Sequence, residues 1–218
     1  MEDEVVRDAV TALGMMRKTA GVDPDRLILL GHSMGAMLAS RIVKRGVRAA
    51  GLVLLAGPTR PLPEVIGTQM EFLAGVEGAG VSRDEVDEIL ASITQIERLT
   101  VADLEDPTKV LGAPASYWLD LRGYDPAAAI RQLDLPVLAL WGDRDFQVSE
   151  VDQEGWRRAL AGRFDATFTT YGGLNHLFEA GSGASTFAEY GEPGHVSSVV
   201  VADIASWIVS RFPLGRGR

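Results

Sequence analysis

Leu27-Ile28-Leu29-Leu30-Gly31-His32-Ser33-Met34-Gly35-Ala36 is the stretch on which the reading of this chain turns. Its first four residues are apolar without alternation, as in a strand covered on both faces. It runs into residues 34–45, which carry a helical pattern. Between the two lies G-x-S-x-G, a pattern whose meaning depends on a strand before it and a helix after it. In that setting the serine sits on a sharp, strained turn, and its hydroxyl projects from the strand end. Gly31 and Gly35 supply the small side chains that let strand and helix approach, and Ala36 and Ala39 extend the close packing. The helix N-terminus favours developing negative charge, and the Met34 N–H is placed to donate to an oxyanion.

Working outward, further apolar runs at 51–56 and 137–141, and a more alternating one at 166–171, read as strands. Residues 2–20 read as a helix, with Glu2, Asp3 and Glu4 in its first turn, Arg17 and Lys18 in its last, and Gly21 to end it before an Asp23-Pro24-Asp25 turn. Residues 150–160 and 196–212 are further helices, and 214–218 is expected to be a disordered tail. Buried strands alternating with helices predict an α/β fold: a parallel sheet of about four strands flanked by helices on both sides. Residues 61–125 break the rhythm with helical patterns at 64–76 and 84–99, the aromatic pair Tyr117-Trp118, and no clear buried strand. They are expected to form a mainly helical insertion lying over a core built from 1–60 and 126–218.

The chain has 218 residues, 46% of them apolar, with 21 basic and 30 acidic side chains and a net charge of −9. Thirteen acidic and four basic residues lie within 61–125, so the insertion carries the whole imbalance. An acidic chain argues against sequence-independent nucleic-acid or anionic-lipid binding, which needs clustered Lys and Arg. The absence of Cys removes disulfides, thiolate zinc sites and a cysteine nucleophile. Three histidines without HExxH argue against a metal hydrolase. The acidic start lacks the pattern of a signal peptide, and no apolar stretch is long enough to span a bilayer, so a cytoplasmic setting is expected.

A serine hydroxyl needs a base, and the base needs an orienting carboxylate. Trp141-Gly142-Asp143-Arg144-Asp145 places two carboxylates after the third strand, where sites on such sheets collect. Spacing favours Asp145 as the acid; Asp143 is the rival, and pairs with Arg144 or caps the loop otherwise. Gly173-Leu174-Asn175-His176 follows the fourth strand, which favours His176 as the base, with His195 as the competitor. His32, inside the turn, is expected to point away from the base position. His32, Tyr117 and Trp118 are candidates for substrate contact, and Phe72 for an acyl pocket; for the aromatic residues the alternative is simple packing between insertion and core.

LGHSMGA at 30–36, WGDRDFQV at 141–148 and GLNHLF at 173–178 resemble, in that order, the bacterial α/β-hydrolase fold family, especially its serine-aminopeptidase-like and carboxylesterase-like hydrolases. YWLDLRGYDP at 117–126 and PGHV at 193–196 are similar too. The resemblance covers most of the chain and makes the insertion the family's cap. It implies Ser33 as nucleophile, Asp145 as acid, His176 as base, and no dissociable cofactor or metal. One departure stands out. Such hydrolases usually place about four strands before the nucleophile turn, one of whose loops supplies a second oxyanion donor. Here Ser33 follows one helix and one strand, and no HGGG-like or HG segment precedes residue 31. Residues 27–30 are then an apolar edge strand without protective charges. A missing N-terminal segment or a second copy of the chain is expected to cover it, and activity is expected to suffer without the second donor.

The function expected from these residues is hydrolysis of a small-molecule carboxylic ester through an acyl-enzyme, falling off below about pH 6.5 as the base is protonated. The same machinery would serve a thioester, or an amide such as a peptide N-terminus, whose cationic end the acidic insertion would suit. A solvated helix face explains the same charge. A hydrolase-derived chain that binds or assembles without catalysis is the reading from another class.

Overall fold

A computed structural model describes residues 5–46 and 48–213. In chain order its elements are α1 (Arg7–Met16), β1 (Ile28–His32), α2 (Met34–Lys44), β2 (Gly51–Leu55), α3 (Leu62–Ala74), α4 (Arg83–Arg98), β3 (Lys109–Val110), β4 (Ala113–Pro114), α5 (Ala115–Leu121), α6 (Pro126–Ile130), β5 (Val137–Gly142), α7 (Glu150–Ala159), β6 (Ala166–Tyr171) and α8 (Ser198–Arg211). Single 3₁₀ turns occupy Val101–Glu105 and Phe187–Gly191. The sheet is fully parallel, in the order β1-β2-β5-β6.

Why the runs at 51–55 and 137–142 are apolar throughout is visible in what each face meets. Leu52, Leu54, Val137, Ala139 and Trp141 face Ala36, Ala39, Ile130 and Trp156, the side covered by α2, α6 and α7. Val53, Leu138 and Leu140 face Val200 and Trp207 of α8. Each fully buried Leu or Val on such a strand contributes about 1.5–3 kcal/mol by leaving water, and a polar residue on either face would lose that. A third cluster joins α1 to α2, with Val6 packed against Met37, Leu38 and Ile42.

The helix predicted over 2–20 ends earlier than expected. It spans Arg7–Met16, and Arg17 leaves it to donate from Nη1 to the Pro24 carbonyl at 2.7 Å. Glu2, Asp3, Glu4 and the tail expected at 214–218 lie outside the described residues. The segment between β2 and β5 is mainly helical, but it also holds an antiparallel two-residue pairing, β3 with β4. Leu111 and Gly112 make its tight turn with φ of 47° and 77°, a geometry that favours glycine at one of the two positions. The Trp118 indole of α5 donates to the Val110 carbonyl at 2.9 Å and fastens that hairpin. α4 starts with a capping box in which Ser82 and Glu85 satisfy each other's backbone N–H.

An ion pair ties the stem of this segment to the core. The Asp152 carboxylate of α7, fully buried, accepts the Arg60 guanidinium and the backbone N–H groups of Thr59 and Arg60. Arg60 also donates to Thr68 on α3 and to Ser149. At the opposite flank of the sheet, β1 pairs with β2 and lies at the edge of the four strands, with Leu30 48% exposed. Among the described residues no helix is long and apolar enough to cross a membrane.

Candidate active site

The link from β1 to α2 is as tight as the motif requires. Ser33 has φ 53° and ψ −117°, outside the regions open to most side chains. Its N–H donates to the Leu55 carbonyl at 2.8 Å, and its carbonyl accepts from Ala36 and Met37 at 3.0 Å each. Those bonds hold a conformation that costs about 1–3 kcal/mol in isolation. A Cβ on Gly31 would lie 2.4 Å from the Gly35 carbonyl carbon and 2.6 Å from the Ala36 nitrogen, so the strand and helix backbones nearly touch there. Gly35 differs from expectation. A Cβ on it would meet nothing within 4 Å, so closeness to its described neighbours does not require glycine there. Met34 is the first residue of α2, and its N–H is among the amides that a helix N-terminus leaves without a partner inside the helix.

β5 and β6 deliver the other two groups from their C-terminal ends. Asp145 Oδ2 lies 2.8 Å from His176 Nδ1, and both side chains are buried. Asp145 Oδ1 accepts from the N–H groups of Gln147 and Val148 at 2.8 and 2.9 Å, which fixes the carboxylate plane. Asp143 is exposed and accepts from the Gly173 N–H at 2.7 Å, so it braces the base loop and does not reach the imidazole. His195 is exposed, just ahead of α8. Asp145 and His176 are therefore brought together, while Asp143 and His195 are not. Among the described residues, no hydrogen bond joins the Ser33 hydroxyl to His176 in this arrangement.

His32 is the clearest correction. Its ring does not turn away: it lies against His176, ring centroids 4.7 Å apart, and its Nε2–H donates to the His176 carbonyl at 2.9 Å. A carbonyl only accepts, so the proton of a neutral His32 sits on Nε2. Burial pushes the His32 pKa below the ordinary histidine value, against the opposing pull of that hydrogen bond.

Arg144 does not pair with Asp143. It bonds the Glu189 carboxylate, the Gly183 carbonyl at 2.9 Å and the Ser182 carbonyl at 3.2 Å. Glu189 also accepts from Asn175 at 3.0 Å and Ser185 at 2.9 Å. Asn175 in turn accepts the Leu177 and Glu179 N–H groups at 3.0 Å each. One carboxylate thus clamps the acid loop to the base loop, a role that nothing in the sequence singled out for Glu189.

Of the proposed contact residues, Tyr117 lies over the turn, its hydroxyl 3.4 Å from the Met34 sulfur. Trp118 is buried in the hairpin contact. Phe72 stacks on Phe146, with ring centroids 5.8 Å apart, immediately after Asp145 in the chain. A cavity of about 1010 Å³ opens between the helical segment and α6–α7; Trp118 is on its wall, whereas Ser33, Asp145 and His176 are not.

A strained serine turn follows β1 of the parallel sheet, and an aspartate past the end of β5 is hydrogen-bonded to a histidine past the end of β6. The alpha/beta hydrolase family model matches residues 2–188. The chain belongs to the alpha/beta hydrolase family. Within it, the esterase EstD of Thermotoga maritima is 40% identical over 209 residues, which cover 96% of this chain and 48% of that protein. The chain therefore spans about half the length of that curated relative. Est1E of Butyrivibrio proteoclasticus, solved with ferulic acid bound, matches in structure with a TM-score of 0.56 at 14% identity, over 96% of this chain and 68% of that one. The monoacylglycerol lipase of Paleococcus ferrophilus matches with a TM-score of 0.51 at 18% identity, over 94% and 76%. At those identities the structural likeness shows a shared alpha/beta hydrolase fold.

Proposed function

We propose that this chain carries the acyl-transfer machinery of a serine esterase. Ser33 Oγ attacks the carbonyl carbon of a carboxylic ester while His176 Nε2 takes its proton. Asp145 holds the Nδ1–H, fixes the tautomer and steadies the imidazolium. The Met34 N–H donates to the tetrahedral oxyanion. As the ester C–O bond breaks, His176 returns the proton to the leaving alcohol and an acyl-serine remains. Water then attacks the acyl carbon with His176 as base again, releasing the carboxylic acid and free Ser33.

The observation that carries this reading is the Asp145–His176 hydrogen bond beside a serine held at φ 53°. The substrate class is supported by the likeness to esterase EstD. A Ser33–His176 hydrogen bond must close when substrate binds, as such bonds tighten on substrate binding in many hydrolases. In this reading a second oxyanion donor comes from whatever pairs with the open edge of β1, a further segment or a second copy. Lacking it, turnover is lower by about 10²–10³.

A fluorophosphonate probe and p-nitrophenyl ester turnover test the reading together. Labelling and turnover should both vanish in Ser33→Ala. Labelling at an unchanged level in that variant would overturn the nucleophile, and turnover at an unchanged level would overturn the mechanism.

A further inference from the structure

The hydrogen bond from His32 to the His176 carbonyl joins residues 144 positions apart. His32 immediately precedes Ser33, so the bond links the nucleophile turn to the main chain of the base. Other bonds around His176 act within its own loop or tie it to the acid loop and the start of α8: Asn175 accepts from Leu177 and Glu179 and donates to Glu189, the Phe178 N–H donates to the Asn175 carbonyl at 2.9 Å, the Arg144 N–H donates to the Leu174 carbonyl at 3.0 Å, and the Ser197 N–H donates to the Phe178 carbonyl at 2.8 Å. The Asp145 bond fixes the far side of the imidazole. Those contacts set the shape of the loop and the tilt of the ring. None of them sets how far the base stands from the turn that carries Ser33.

Resting on the proposed Ser33–His176–Asp145 mechanism, we propose that His32 is a positioning residue: its Nε2–H holds the His176 main chain against the nucleophile turn and so sets the gap across which the proton passes. The neutral ring suits this task. It donates one hydrogen bond and, at 4.7 Å from His176, brings no charge to oppose the imidazolium that forms during turnover. The contact acts on proton transfer and touches no part of the substrate, so its loss should appear in kcat rather than in KM.

The test uses three variants of the intact protein. The amide nitrogen of Gln reaches about as far from the backbone as Nε2 of His, whereas that of Asn is one bond shorter. His32→Phe keeps a ring beside His176 without a donor. The expected result is kcat lower by about 10–100-fold in His32→Phe and His32→Asn, with KM within about twofold, and recovery to within about threefold of the parent in His32→Gln. The downfield proton resonance of the His176–Asp145 bond should broaden in Phe and Asn and stay sharp in Gln. Melting temperature is recorded for each; if Phe fails to fold, the comparison of Asn with Gln decides. Parental kcat in His32→Asn, or equal losses in folded Asn and Gln, would overturn the proposal. Ser33→Ala, measured alongside, separates the two failures: if it stays active the mechanism itself falls, and if it is dead while His32→Asn is unimpaired only the role of His32 falls.

Discussion

Asp145 and His176 meet through one carboxylate oxygen, 2.8 Å from Nδ1, while the other oxygen of Asp145 is occupied by the backbone N–H groups of Gln147 and Val148. The carboxylate therefore cannot rotate without breaking two bonds to its own loop. Replacing it with the amide puts a donor or a weaker acceptor where an anion stood. Asp145→Asn should lower kcat by about 10³–10⁴. Asp143→Asn keeps an acceptor for the Gly173 N–H at an exposed site and should change kcat by less than about twofold. Steady-state ester hydrolysis of the two variants checks the assignment, and comparable losses would reassign the acid.

Gly31 and Gly35 belong to one motif but differ in their surroundings. A methyl on Gly31 collides with backbone atoms of α2 at 2.4–2.6 Å, which cannot swing aside. Gly31→Ala should cost about 1–3 kcal/mol or more and disturb the Ser33 turn. Gly35→Ala enters open space early in α2 and should leave the melting temperature level or slightly higher. Thermal melts of both variants check this, and equal destabilisation would show that the motif needs both glycines for one reason.

Glu189 links Arg144 on the acid loop to Asn175 beside the base. Burial tends to raise the pKa of its carboxyl, but the bonds from Asn175, Arg144 and Ser185 outweigh this and hold it below the usual glutamate value. A folded-state pKa below the unfolded one gives stability that is present above about pH 4.3 and lost as pH falls through the lowered folded value. Glu189→Gln should cost about 1–2 kcal/mol near neutral pH, less than a fully buried pair because the Glu189 side chain is 30% exposed. Melting curves against pH should show the gap between parent and variant narrowing below about pH 4. A gap independent of pH would show that the carboxylate charge plays no part in the clamp.

For His32 the loss on acidification comes at higher pH. Its folded-state pKa lies below the ordinary value, so on acidification the unfolded chain takes up the proton first. Stability from this residue is full above about pH 6.5 and declines as pH falls below it. The groups facing its ring are His176 and Asp145. Melting temperature should fall between about pH 7 and pH 5.5, and fall less in His32→Gln, which has nothing to titrate there. Parallel curves for parent and variant would show that His32 is not the group responsible.

The strands at 51–55, 137–142 and 166–171, the Ser33 turn and the order serine, aspartate, histidine were legible because each rests on local pattern: an apolar run, a glycine-flanked serine, a carboxylate or imidazole just past a strand end. The choice of Asp145 over Asp143 came from spacing, and only the fold shows which of them reaches the imidazole. The aim of His32, the Arg144–Glu189 pair and the contact of Trp118 with Val110 join segments that no periodicity relates. Arg144 and Glu189 lie 45 positions apart and His32 and His176 lie 144 apart, so packing alone decides them. The β3–β4 hairpin did leave a signal, the Leu111-Gly112 pair, but two-residue strands are too short to show alternation.

Arg60 and Asp152 secure the helical excursion where it departs from β2, with backbone as well as side-chain bonds on the same carboxylate. The far end of the excursion is fastened too: Asp120 of α5 takes the Arg41 guanidinium of α2 at 2.6 Å, and the Tyr124 hydroxyl donates to the Met37 carbonyl at 2.9 Å. With both feet of the excursion pinned to the core, exchange of backbone amide hydrogens should be slow at Thr59 and Arg60 and faster in the exposed first turn of α4.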